Sequence, residues 1–439
     1  MLLGRITLPL ESKWVGLLGI LCILGTAYAM SNNRKAINYR LVVSGLLIQL
    51  VMAIFVLKVE FGQNLFRSIG DAITALLHFS DAGAGFVFGP LVENPDEMVK
   101  LFGPKAAFIF AFRVVPTIIF VSSLVSISYY LGLMQRVVQV VARVVAFLMG
   151  ASGSEALSNA ASVFVGQVEA QLLIRPYVAT MTMSELLASM TGSMACVAGG
   201  VLAVYIGIGI KASYLLTASI MAAPGGLVIA KIVWPETEPS MTKGKVQIEV
   251  KRTNANLIDA AAHGASDGLR IGLNVVAMLI AFMALIAMGD GVFGLLGGFL
   301  HRAGVPDFLG LSLEHLKMMD LLGLLFSPVA YVMGVPWADA HVVGRLMGEK
   351  MVINEFVAYT ELSAMLKGLS DVHISQHAET IATFALCGFA NLSSIAIQVG
   401  GIGEIAPSRR ADLARLGVKA LICGTMASYL SATLAGLLL

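Results

Sequence analysis

The sequence predicts an all-α polytopic membrane protein, with eight transmembrane helices plus two re-entrant helical hairpins in an inverted repeat. Three observations predict it. Hydrophobic residues make up 57% of the 439 residues and charged residues only 13%, with a mean hydropathy of +0.85; a soluble domain carries about a quarter charged residues. Eight apolar runs are long enough to cross a bilayer as helices, which takes about 20 residues each. Two stretches far apart in the chain resemble each other, and each leads into a segment too polar to cross alone.

In chain order the runs cover about 14–30, 41–57, 106–131, 184–208, 213–233, 270–290, 379–402 and 417–438. Arg5 ahead of the first run resembles the start of a signal peptide. No small-residue cleavage site stands out, however, and basic Asn33-Arg34-Lys35 follows directly, so a first span is expected. Lys and Arg prefer cytoplasmic loops, and they gather in four connections. These hold Arg34, Lys35 and Arg40; Arg136 and Arg143; Lys243, Lys245, Lys251 and Arg252; and Arg409, Arg410 and Arg415. Placing all four inside puts both termini outside, in agreement with an even number of spans. Residues 62–80, with Arg67, Asp71 and His78, predict an amphipathic interfacial helix. Residues 134–149 and 312–332 are amphipathic as well.

The repeat is read from two short segments. Val145-Ala146-Phe147-Leu148-Met149-Gly150 runs into Ala151-Ser152-Gly153-Ser154-Glu155-Ala156, and Val329-Ala330-Tyr331-Val332-Met333-Gly334 runs into Val335-Pro336-Trp337-Ala338-Asp339-Ala340. Five of the twelve positions are identical. By the loop charges the first copy starts inside and the second outside, which is the inverted repeat common in secondary transporters. Residues 152–180 and 338–366 are punctuated by Gly, Ser and Pro. Irregular backbone survives at membrane depth only when buried in protein or lining a cavity, so both are expected to be re-entrant hairpins. The organisation expected is a scaffold over 1–133, a first repeat over 134–233, a cytoplasmic loop and scaffold span over 234–308, and a second repeat over 309–439.

Each hairpin carries a carboxylate and an amide in apolar surroundings: Gln167 and Glu169 in the first, Asn354 and Glu355 in the second. A carboxylate at membrane depth costs several kcal/mol and marks a functional path more often than a structural pair. Singly, the amides Gln167, Asn354 and Asn391 also fit ordinary helix–helix hydrogen bonding. Together with Ser394 and Phe389 they offer amides, acids, a hydroxyl and an aromatic face, with no Lys or Arg near the hairpin tips to neutralise an anion. That set suits a neutral polar solute, a nucleoside or a sugar, since carboxylates accept from vicinal hydroxyls and an amide pairs with a heterocycle edge.

Gly166-Gln167-x-Glu169-Ala170, Leu172-Leu173-Ile174-Arg175-Pro176-Tyr177, Gly334-Val335-Pro336-Trp337, Asn354-Glu355-Phe356-Val357-Ala358-Tyr359 and the run from Cys387 to Ile395 resemble the signature of the concentrative nucleoside transporters, over nearly the whole chain. The resemblance implies cation symport of nucleosides of the uridine, cytidine and adenosine class into a bacterial cell across its cytoplasmic membrane. It also implies a homotrimer and an elevator-like transport domain that contains both hairpins and moves against a scaffold. It places Gln167 and Glu169 toward the nucleobase, with Val168 and Val201 in the substrate-binding set. Glu355, Asn391 and Ser394 are placed on the ribose, and Phe389 beside the substrate. Val168 stands where the family usually has Thr, and Gln171 where it has Pro. The family's Na+ ligands fall on Ser162, Cys196 and the carbonyls of Val165 and Val197. A Cys side chain gives a hard cation no oxygen, so Na+ and H+ both stay open as the coupling cation, with Na+ slightly favoured. No nucleic-acid partner is expected.

The rival class is a passive channel, or a carrier of another neutral solute. An enzyme is not expected: Gly150-Ala151-Ser152-Gly153 matches a short intramembrane-protease motif, but no histidine is placed opposite it, and a turn opening the first hairpin explains the glycines. The four cysteines lie in apolar segments without CxxC spacing, so neither a disulfide nor a zinc site is expected.

Overall fold

A computed structural model of the chain describes residues 12–103, 109–243, 254–303, 312–370 and 372–439. Arg5 and the loop residues Lys245, Lys251 and Arg252 lie outside the described residues. Every regular element among the described residues is helical. The first part runs through α1 (Ser12–Ala29), α2 (Tyr39–Leu57), α3 (Glu60–Phe88), the short α4 (Pro90–Glu93) and α5 (Pro95–Phe102), and α6 (Phe110–Tyr130). The stretch expected to lie at the interface is thus the centre of a 29-residue helix, α3, about 43 Å long at 1.5 Å per residue.

The repeat is visible as two matching series. The first is α7 (Leu133–Met149), α8 (Gly153–Ser162), the irregular return α9 (Glu169–Leu172) and α10 (Arg175–Val178), α11 (Met183–Ala195), α12 (Gly199–Gly207) and α13 (Ala212–Val233). After α14 (Leu257–Arg302) the second follows: α15 (Met318–Val332), α16 (Trp337–Val352), α17 (Glu355–Leu366), α18 (Gln376–Leu386), α19 (Leu392–Ile405) and α20 (Arg410–Leu437). Gly150 and Gly334, the matched glycines, both have positive φ, +70° and +103°, where a side chain would be strained. Each turns an amphipathic helix into a polar hairpin.

The two spans expected over 184–208 and 379–402 are each broken in the middle. α11 gives way to α12 across Cys196-Val197-Ala198, and α18 to α19 across Cys387 to Asn391. The breaks meet. Phe389 N donates to Cys196 O at 3.2 Å, and a Cβ on Gly388 would stand 2.5 Å from Ala195 O. Each unwound stretch therefore supplies hydrogen-bond partners that lipid would deny the other. Gly388 has φ +126°. Gly388→Ala is expected to cost roughly 1–3 kcal/mol in backbone strain before the clash is counted. In detergent it should show as a thermal midpoint several degrees lower than wild type.

The outer helices differ from the inner ones in burial. The apolar windows of α13 and α20 are 89% buried and that of α14 only 6%. The span expected over 270–290 lies inside this 46-residue α14, about 69 Å long and more than twice the bilayer core. It is held to α6 by small residues: a Cβ on Gly264, Gly268 or Gly272 would come within 2.6, 2.7 and 2.7 Å of α6 atoms. Among the described residues six helical stretches are long and apolar enough to cross, α11 and α12 together counting as one, and α1, α15 and α19 are shorter apolar helices. Gln49 of α2 is fully buried and pins the centre, donating to Met221 O at 2.9 Å and Ser431 Oγ at 3.0 Å.

A second polar knot closes the mouth of the first hairpin. Lys231 of α13 meets Glu155 of α8 at 2.7 Å and Glu236 at 3.2 Å, and donates to Ser184 Oγ at 2.9 Å. Ser152, the serine of the protease-like motif, opens α8: its backbone N–H donates to Glu155 Oε1 at 2.7 Å.

Candidate functional site

The second hairpin turns at Ile353-Asn354. Asn354 Oδ1 accepts from Val357 N at 3.0 Å, capping α17 and fixing Glu355 in its first turn. Asn391 does the same for α19, accepting from Ser394 N at 3.0 Å. These caps aim two helix N-termini, with their positive dipole ends, at one buried region. Glu355 sits there with 5% exposure. Its Oε1 accepts from Tyr205 OH at 3.0 Å and its Oε2 from Asn391 Nδ2 at 3.2 Å.

The first hairpin reaches the same place. Gln167 Nε2 donates to Ser394 Oγ at 3.3 Å, and Gln167 Oε1 accepts from Gln398 Nε2 at 3.4 Å. Ser394 donates in turn to Phe389 O. Residues from both halves of the repeat, Gln167 from one and Glu355, Phe389, Asn391 and Ser394 from the other, thus form one continuous hydrogen-bonded patch beside the crossing of the two breaks. Chemically it presents a carboxylate, two amides and a hydroxyl beside a half-buried aromatic ring. Against the expectation of no cation near the tips, Lys350 is buried within electrostatic reach of Glu355, its Nζ donating to Ala385 O at 2.8 Å.

Other sequence-predicted residues lie differently. Glu169 is exposed, with its carboxylate folded over Gly166, where a Cβ would come within 2.1 Å of Oε2. Tyr129 of α6 is in electrostatic reach of it. Val168 packs its methyls onto Gly401 of α19, whose Cβ would lie 2.6 Å from them. Val201 is half-buried in the first turn of α12. Ser162 Oγ donates to Ser158 O at 2.8 Å and lies 3.0 Å from Ser193 Oγ. The Cys196 thiol donates to Ser219 O at 3.8 Å, while its carbonyl accepts from Phe389. Val165 and Val197 are buried beside them.

Three contributors were missed in the sequence. Tyr205 holds Glu355 while stacking on Tyr359, with centroids 4.4 Å apart. Its signal was a hydroxyl in mid-span, hidden in an apolar run. Gln398, fully buried, stands one turn after Ser394 and holds Gln167. Gln171, 1% exposed, ties the hairpin together by donating to Ser193 Oγ at 2.7 Å and accepting from Ser189 Oγ at 2.5 Å. Tyr205→Phe removes one charge-assisted hydrogen bond from Glu355 and leaves the stacking. Uridine affinity measured by calorimetry is expected to fall about tenfold.

An open cavity of about 630 Å³ lies apart from this patch, between α2, α3 and the α12–α13 turn, with Arg67, Asp71 and Lys211 on its walls.

Comparison with known proteins agrees with this architecture. A family described as Na+ dependent nucleoside transporter matches through its N-terminal part at residues 18–91 and its C-terminal part at 214–436, with a nucleoside-recognition gate segment at 111–212 between them. The chain is 43% identical over 422 residues to an uncharacterized transporter of Haemophilus influenzae, covering 96% of each. It is 38% identical to the nucleoside permease NupC of Helicobacter pylori, over 97% of this chain and 98% of that one. It is 41% identical to sodium/nucleoside cotransporter 2 of Rattus norvegicus, over 96% of this chain but 62% of the longer rat protein. Among solved structures, the transporter CNTnw in an inward-facing substrate-bound state is 43% identical and superposes with a TM-score of 0.89, covering 98% of both chains. A variant of CNTnw in an outward-facing state matches with the same score over 97% of both. Their names describe transporters and not enzymes. With the three family segments in order along its length, the chain belongs to the Na+-dependent nucleoside transporter family.

Proposed function

We propose that this protein imports nucleosides across a bacterial cytoplasmic membrane by cation symport, through alternating access of one site. The observation that carries the reading is the Glu355 patch. A buried carboxylate held by Tyr205 and Asn391 is joined through Ser394 to Gln167 of the opposite repeat. Glu355, Asn391 and Ser394 bind ribose hydroxyls, and Gln167 the base edge. Phe389 lies beside the substrate. Glu169, Val168 and Val201 line the base end. The two helical hairpins are re-entrant, entering from opposite sides of an eight-span bundle whose termini are outside. α1, α2, α6 and α14 belong to a scaffold, and the hairpins with α11–α12 and α18–α19 to a transport domain that moves as an elevator within a homotrimer. Relatives named for sodium cotransport support a cation-coupled mechanism. Ser162, Cys196 and the carbonyls of Val165 and Val197 are the Na+ candidates, and a proton is the alternative.

The test is uridine uptake into proteoliposomes under a Na+ gradient and a pH gradient applied separately. Accumulation above the equilibrium level under either gradient supports symport and names the ion. Flux that only equilibrates under both makes the protein a passive channel.

A further inference from the structure

The first arm of the second hairpin carries a stripe that the nucleoside patch does not use. His341, Arg345 and Glu349 stand at i, i+4 and i+8 on α16, on one face of that helix. Each holds a buried polar atom without a hydrogen-bond partner: His341 Nδ1, Arg345 Nε and Glu349 Oε2. Glu349 is 4% exposed. The guanidinium of Arg345 is engaged by Glu361 of α17, which bridges the two arms of the hairpin. His341 is half-buried against α15, where a Cβ on Gly323 would stand 2.7 Å from its ring.

The charged and titratable groups around Glu349 can be named. On α16 these are His341, Arg345 and Lys350, and Lys350 is turned away to Ala385 O of α18. From α17 there are Glu361, committed to Arg345, and Glu355, committed to Tyr205 and Asn391. From α15 there is Asp320, in electrostatic reach of His341. From α18 there are His377, whose ring lies against Gly334 O, and Glu379, which pairs with Lys211. Arg345 is therefore the cation that faces Glu349, and its charge is already taken. A carboxylate that is 4% exposed, with one oxygen buried and without a donor, carries a desolvation penalty of several kcal/mol that the neutral acid largely escapes.

We propose that Glu349 is the proton-binding site of this transporter, and that its occupancy sets whether the two arms of the second hairpin are bridged. With the proton on, Arg345 stays with Glu361 as seen here. With the proton off, the new carboxylate competes for Arg345 through its open Nε, loosening the bridge about two and a half turns before the hairpin tip that holds Glu355. The inference rests on the cation-symport reading and selects its ion.

The test uses proteoliposomes and radiolabelled uridine, with an acid-outside pH gradient without Na+ in one arm and a Na+ gradient without a pH difference in the other. Wild type is expected to accumulate uridine. Glu349→Gln, which fixes a neutral group, is expected to bind uridine with affinity within about twofold of wild type yet lose about tenfold or more of the pH-driven accumulation. Glu349→Asp should restore the response. Equal pH-driven accumulation by Glu349→Gln and wild type overturns the proposal. So does a wild type that ignores pH but responds to Na+, a result that leaves symport standing. A wild type driven by neither gradient removes the symport reading itself, and the proposal with it. Should Glu349→Gln fail to bind uridine, Glu349→Asp decides: a shifted pH profile of uptake supports the site, and an unchanged one overturns it.

Discussion

Glu355→Gln is expected to lower uridine uptake by about 100-fold while the protein stays folded and monodisperse in detergent. Two donors, Tyr205 OH and Asn391 Nδ2, converge on the carboxylate from different sides, one on each oxygen. An amide supplies one acceptor in place of two and turns its own N–H groups toward one of these donors. It also loses the negative charge that the proposed ribose contact relies on. Hydrogen bonds to a charged group are worth about 1.5–3 kcal/mol each, and about 2.7 kcal/mol corresponds to about 100-fold. The protein keeps its fold because Asn354, and not Glu355, caps α17. Uptake in proteoliposomes, with thermal unfolding as the control, checks both halves. Uptake near wild type would remove Glu355 from the site.

The second large effect concerns stability. Lys231→Met is expected to destabilise the protein by about 3–5 kcal/mol, the cost of leaving a buried charge without its partner. Lys231 and Glu155 have side-chain exposures of 5% and 3%, with 2.7 Å between them. Glu155 in turn accepts from Ser152 N at the start of α8, so the lost pair also loosens the entry to the first hairpin. Solubilised Lys231→Met should aggregate on heating well below wild type. Lys231→Met combined with Glu155→Gln should recover part of the loss, because the uncompensated charge is gone. A single variant as stable as wild type would mean that the pair contributes nothing.

The repeat was legible because its signal is local. Gly150 and Gly334 each follow an amphipathic helix and precede polar residues, and both adopt the positive φ that such a turn requires. Gln167, Glu355 and Asn391 were legible as polar side chains in apolar sequence, and the structure brings them to one patch. The unread parts depend on contacts between distant segments. Tyr205 gains its meaning only from Glu355, 150 residues later. The breaks at 196–198 and 387–391 look like ordinary small-residue stretches until one is laid across the other. Val168 reads as the loss of a hydroxyl, whereas its methyls fill the space over Gly401. Glu169 is exposed, with its carboxylate folded over Gly166, a placement set by the local turn and not by the polarity of the surrounding sequence.

Residues of the two repeats are proposed to build one nucleoside site. The most direct test is an experimental structure of the protein with uridine bound. Ribose hydroxyls are expected within hydrogen-bond distance of Glu355, Asn391 and Ser394, and the uracil ring toward Gln167 and Phe389. Uridine seated elsewhere, for example in the cavity between Arg67, Asp71 and Lys211, with the Glu355 patch unchanged, would contradict it.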